Sequence, residues 1–133
     1  MKYFIIITHI LIGLLLVFLN ANNLLHLANL ATQSTDKQYY HGISLTQGFA
    51  EAILGVILGL ASIVCAVEFR KDKRWTWPAL PIVTLFTMVA VFRELLSAQG
   101  LVAGPYALVA IVLLTFLISE ITYLTLRKQT QSN

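Results

Sequence analysis

The segment Arg70-Lys71-Asp72-Lys73-Arg74-Trp75-Thr76-Trp77-Pro78 places five consecutive charged residues and two tryptophans between two long apolar runs. Charges at this density do not enter hydrocarbon without pairing or hydration, whereas tryptophan favours the headgroup layer of a bilayer. The stretch therefore reads as a turn at a membrane surface, and the apolar runs beside it read as spans. Pro78 and Pro81 suit the first turn of a new helix, where a missing N–H costs little.

Toward the N-terminus, apolar residues at helical spacing predict helices over about residues 3–28 and 44–69. Between them residues 32–41 are polar, with Tyr39 and Tyr40 as interfacial aromatics. Toward the C-terminus, helices are predicted over about residues 78–98 and 106–126. Gly100, Gly104 and Pro105 separate these two, and a polar tail follows.

Composition agrees with this division. The chain has 133 residues, 58% hydrophobic and 11% charged, against about 25% charged in a soluble domain. Four spans of about 20 residues use about 80, which leaves ends and connections but no extramembrane domain. A soluble enzyme is excluded, and the expected fold class is all-α: an integral membrane four-helix bundle forming a single transmembrane domain.

Charge placement orients the helices. Lys2, Arg70, Lys71, Lys73, Arg74, Arg127 and Lys128 are seven of the nine basic residues, and they share one side if the helices alternate. Only Lys37 and Arg93 fall on the other. The positive-inside rule then places both termini and the 70–74 loop on the cytoplasmic face of a bacterial inner membrane, N-in and C-in. Lys2 with the apolar run after it also resembles a secretory signal, but Asn20-Ala21-Asn22-Asn23 lacks small residues at both cleavage positions, so a retained first helix is expected. Basic residues confined to span ends do not form the continuous face that nucleic acid needs. The expected partners are the lipid bilayer and other membrane subunits or a second copy, with no nucleic acid.

The chemistry-bearing residues are the polar groups inside spans. On the outer side these are Asn20, Asn23 and His26 of the first helix, Glu51 of the second, and Arg93 with Glu94 of the third. The leading expectation is a packing salt bridge between Glu51 and Arg93, with Asn20 and Asn23 hydrogen-bonded across helices. The alternative is a small outward pocket for a headgroup, quinone ring or small anion. On the inner side His9 and Glu120 make a possible proton-relay pair, because histidine titrates near neutrality; alternatively Glu120 reaches toward Arg127, seven residues on and on nearly the same face.

Helical phase gives two stripes. His9, Gly13, Leu16, Asn20 and Asn23 fall within about 40° of one direction. Gly48, Ala52, Gly55, Gly59, Ser62 and Ala66 follow the spacing of a close helix contact and include a Gly-x-x-x-Gly pair. Thr115, Ser119 and Thr122 form a third face whose hydroxyls are expected to bond back to backbone carbonyls. Cys65 is the lone cysteine, which excludes an intramolecular disulfide and suggests an inert packing residue. His9, His26 and His41 lack metal-ligand spacing, and the sequence carries no nucleotide, phosphate-loop, Cys-x-x-Cys or nucleophile-elbow motif. No metal, catalytic residue or cofactor is predicted, and a quinone would bind without a motif.

The run Phe18-Leu19-Asn20-Ala21-Asn22-Asn23-Leu24-Leu25-His26-Leu27, then Gly42, then Phe49-Ala50-Glu51-Ala52-Ile53-Leu54-Gly55-Val56-Ile57-Leu58-Gly59, resembles the DoxX-like group of small four-helix bacterial membrane proteins. Glu51, Gly55 and Gly59 match the group's Glu-x-x-x-Gly core, while its Arg and Gly-Lys positions in the first helix are not matched. The resemblance implies an accessory role beside quinone-linked sulfur oxidation or thiol redox systems. The expected function is a non-catalytic accessory or anchor subunit, docking through the small-residue seam and the 70–74 loop. The alternative is a small oligomeric transporter or channel using Glu51 and Arg93, or His9 and Glu120.

Overall fold

A computed structural model of the chain describes residues 1–33, 39–40, 43–97 and 103–132. It holds four long helices: α1, Lys2–Gln33; α2, Leu45–Arg70; α3, Thr76–Ser97; and α4, Ala103–Ser132. All four are long and apolar enough to cross a membrane. At 1.5 Å per residue, α1 with its 32 residues is about 48 Å long, more than the roughly 30 Å of a hydrocarbon core.

The helices outrun their sequence-predicted limits, chiefly in α1 and α4. Gly104 and Pro105, expected to break the chain, instead lie in the first turn of α4, where no N–H has an intrahelical partner to lose. Likewise α3 begins at Thr76, so Pro81 lies inside the helix rather than in its opening turn. Part of the polar segment before α2 is extended. Tyr39–Tyr40 (β1) and Ile43–Ser44 (β2) pair antiparallel in the register Tyr39 to Ser44 and Tyr40 to Ile43. Tyrosine and isoleucine favour extended backbone, and two residues suffice to join antiparallel strands. His41 and Lys37 lie outside the described residues.

The chain divides into two compact units, Met1–Ile7 with Cys65–Asn133, and Thr8–Val64. In the first, Leu80, Val83, Thr84 and Thr87 are buried along one face of α3, and Ala110, Leu113, Phe116, Glu120 and Leu124 along one face of α4. Both sets follow the three- and four-residue steps of a helix stripe. Phe4 meets Phe116 edge to face, with ring centroids 6.0 Å apart. In the second unit, the burial of Gly48, Ala52, Gly59 and Ser62 marks the small-residue face of α2. Large apolar side chains stand exposed elsewhere, among them Leu11, Leu14 and Phe18 on α1 and Leu108, Ile111 and Val112 on α4. Such surface is costly in water and suited to lipid.

Candidate functional site

At the end of α2 the chain turns on Asp72. The Asp72 N–H donates to the Phe69 carbonyl at 3.0 Å and the Lys73 N–H to the Glu68 carbonyl at 3.3 Å, the bond pair of a Schellman cap. That cap needs a left-handed residue, and Asp72 supplies it at φ 60°. Glycine usually occupies this place; aspartate is among the few other residues that tolerate it. Aspartate adds a carboxylate. Asp72 Oδ1 accepts from Lys2 Nζ at 2.8 Å and from Arg127 Nη2. Lys2 Nζ also donates to the Arg70 carbonyl at 3.2 Å. One exposed carboxylate thus ties the start of α1, the α2–α3 turn and the last third of α4.

Aromatic rings complete this charged clasp. The buried Phe69 ring lies 5.9 Å from Lys2 Nζ and 5.7 Å from the Arg127 guanidinium carbon, and Trp77 lies 5.4 Å from the latter. Cations over ring faces gain about 0.5–1 kcal/mol each at exposed sites. The hydrogen bond from Lys2, then that from Arg127, holds the Asp72 carboxyl below the ordinary carboxylate range. Trp77 Nε1 and Arg127 Nη1 are buried without a hydrogen-bond partner among the described residues. Arg127 turns to Asp72 because α4 continues as a helix past residue 126 and carries it level with the turn.

Glu120 itself is fully buried and accepts from Thr84 Oγ1 at 2.9 Å, while the same hydroxyl lies 3.2 Å from the Leu80 carbonyl.

A second buried polar pair lies in the other unit. His9 Nδ1 is 2.9 Å from Ser62 Oγ, and Ser62 Oγ donates to the His9 carbonyl at 2.9 Å.

The small-residue seam has an occupant within the chain. A Cβ on Gly59 would stand 2.7 Å from the Gly13 carbonyl oxygen and 2.8 Å from Val17 Cγ2, and one on Gly13 would stand 2.6 Å from the Gly59 carbonyl oxygen. One on Gly55 would fall on the Asn20 amide. The α1 backbone therefore lies directly on the seam at Gly55 and Gly59. Asn20 packs across but donates within α1, to the Leu16 carbonyl at 2.8 Å, rather than across helices as expected. Asn23 and His26 are exposed. Leu27 is buried in their place, because 18 residues make five whole turns and set it on the His9 azimuth, whereas Asn23 lies at the stripe's margin.

Glu51 accepts from Gln47 Nε2 at 3.0 Å along α2. Arg93 is exposed near the end of α3, and the Glu94 side chain lies outside the described ones. Thr115, Ser119 and Thr122 donate to the carbonyls of Ile111, Thr115 and Ile118, as their spacing suggested. Asp72 as a hub was missed. Its signal was its place as the sole acid in a run of basic residues. Thr84 was missed too, though with Leu80, Val83 and Thr87 it completes a helix stripe.

These features define a class: helical proteins with four segments fit to cross a membrane. Compared with family models, with curated proteins and with solved structures, the chain finds no match in any of the three.

Proposed function

We propose that this protein is a small multi-pass subunit of a bacterial cytoplasmic membrane, with both termini and the 70–74 loop on the cytoplasmic side, acting as a non-catalytic accessory or anchor. The observation that carries the reading is the clasp. Lys2, Asp72 and Arg127 meet amid Arg70, Lys71, Lys73, Arg74 and Lys128, so the basic ends belong to one end of the fold, as the positive-inside rule requires of a cytoplasmic face. The buried polar pairs support a structural role: each polar group there meets a hydroxyl or carbonyl of a neighbouring helix or turn. The resemblance to the DoxX-like group adds the partner class, a quinone- or thiol-redox-linked membrane complex.

With α1 seated on the Gly55–Gly59 part of the seam, docking falls to the exposed apolar helix faces and the basic loop. Co-purification in mild detergent tests this. A stoichiometric membrane partner is expected; a chain that runs alone as a homo-oligomer speaks against the accessory role. A second reading, a proton-coupled transporter, is favoured by one observation: His9 and Glu120 are almost wholly buried inside spans. Proton flux in proteoliposomes separates the two. In the accessory reading wild type, His9→Asn and Glu120→Gln all lack flux above empty vesicles, whereas flux lost in either folded variant establishes transport.

A further inference from the structure

Beside the clasp, α3 and α4 enclose an open groove of about 420 Å³ lined by Arg74, Trp77, Pro78, Pro81, Leu124 and Lys128. Its chemistry is divided. Arg74 and Lys128 are exposed cations with no ion pair among the described residues. The prolines and Leu124 form an apolar wall. Donors exceed acceptors beside the groove: the Asp72 carboxylate already serves Lys2 and Arg127, and Trp77 Nε1 and Arg127 Nη1 have no acceptor among the described residues. A ligand fitting such a place brings negative charge, several acceptor oxygens and a hydrocarbon tail.

We infer that the groove is a binding site for one anionic phospholipid, its phosphate between Arg74 and Lys128 and an acyl chain along Pro78, Pro81 and Leu124. Basic pockets between transmembrane helices at the membrane surface hold anionic headgroups in this manner. The volume matches part of a lipid rather than a whole one, since the remaining chain lies in the bilayer. A free anion has no use for the apolar wall, and a zwitterionic lipid brings no net charge for the two cations. The inference rests on the membrane reading above, but not on which face is cytoplasmic.

The test is lipid retention by the purified full chain in neutral detergent, read by native mass spectrometry with phosphatidylglycerol and phosphatidylcholine added in equal amounts. One phosphatidylglycerol per chain is expected, in preference to phosphatidylcholine. The double variant Arg74→Gln/Lys128→Gln is expected to weaken retention about 30-fold. The control Arg70→Gln/Lys71→Gln, with the same charge change outside the groove, is expected to weaken it only a few-fold. Equal retention of the two lipids, or equal loss in the two double variants, overturns the inference; so does displacement of the lipid by inorganic phosphate alone. Failure of the membrane reading shows differently, as a chain that stays monodisperse in buffer without detergent.

Discussion

The unit formed by Met1–Ile7 and Cys65–Asn133 and the unit Thr8–Val64 are held by different physics. The first carries, beside the buried stripes of α3 and α4, a clasp made of charge: an exposed carboxylate, two cations and two aromatic rings. The second closes on the absence of side chains, with Gly13 and Gly59 each lying against the other's backbone and one buried histidine hydrogen-bonded to serine. Water and salt weaken the first arrangement. They bear little on the second, where the alternative to a contact is an unfilled gap. The clasp is therefore tunable by solution conditions, and the glycine contact only by sequence.

The sharpest break of this contrast is Gly59→Leu. Its Cβ already meets backbone, which cannot rotate away, so a loss of about 3 kcal/mol or more is expected, read as a collapse of the melting transition in detergent. Ser62→Ala comes next, removing the buried hydroxyl that meets both His9 Nδ1 and the His9 carbonyl. A cost of about 1–3 kcal/mol is expected, unchanged between low and high salt; a salt-dependent cost would contradict the contrast. Thr84→Val removes one hydroxyl from Glu120 and is expected to cost about 1 kcal/mol, measured in the same way.

The smallest effect belongs to Asp72→Asn. This residue keeps the left-handed turn but loses the charge, so a slight decrease in melting temperature is expected that vanishes at high salt. The pH dependence has a definite sign. Lys2 and Arg127 lower the folded-state pKa of Asp72 from its ordinary 3.8. Its contribution is thus complete above that ordinary value and disappears as pH falls through the lowered one. Melting curves of wild type and Asp72→Asn should converge in that acid window and stay apart above it. Convergence at neutral pH would show that the carboxylate contributes nothing.

Much of this was legible in the sequence, because hydrophobic runs and basic flanks report the solvent each segment meets. The α2 stripe from Gly48 to Ala66 was likewise readable, since a 4-3-4-3-4 spacing has one helical meaning. Which surface would fill it was not: that depends on the azimuth of Gly13 and Asn20 on another helix, a long-range fact. Asp72 shows a different limit. Its charge was visible as part of a topological marker, but its left-handed backbone follows from where α2 ends, and helix ends are the least determined feature of a pattern. The Arg127 contact was hidden for the same reason: the sequence pattern ends the last helix near residue 126 and leaves Arg127 in a tail.

The central claim, that the clasp marks one membrane face, is tested by thiol labelling. In a Cys65→Ala background, single cysteines are placed as Lys73→Cys, Thr130→Cys and Thr32→Cys, and a membrane-impermeant maleimide is applied to right-side-out and inverted inner-membrane vesicles. Positions 73 and 130 are expected to label only in inverted vesicles, and position 32 only in right-side-out ones. Labelling of 73 and 130 from opposite faces, or of 32 from the same face as both, would contradict the arrangement of four spans with a single clasped cytoplasmic end.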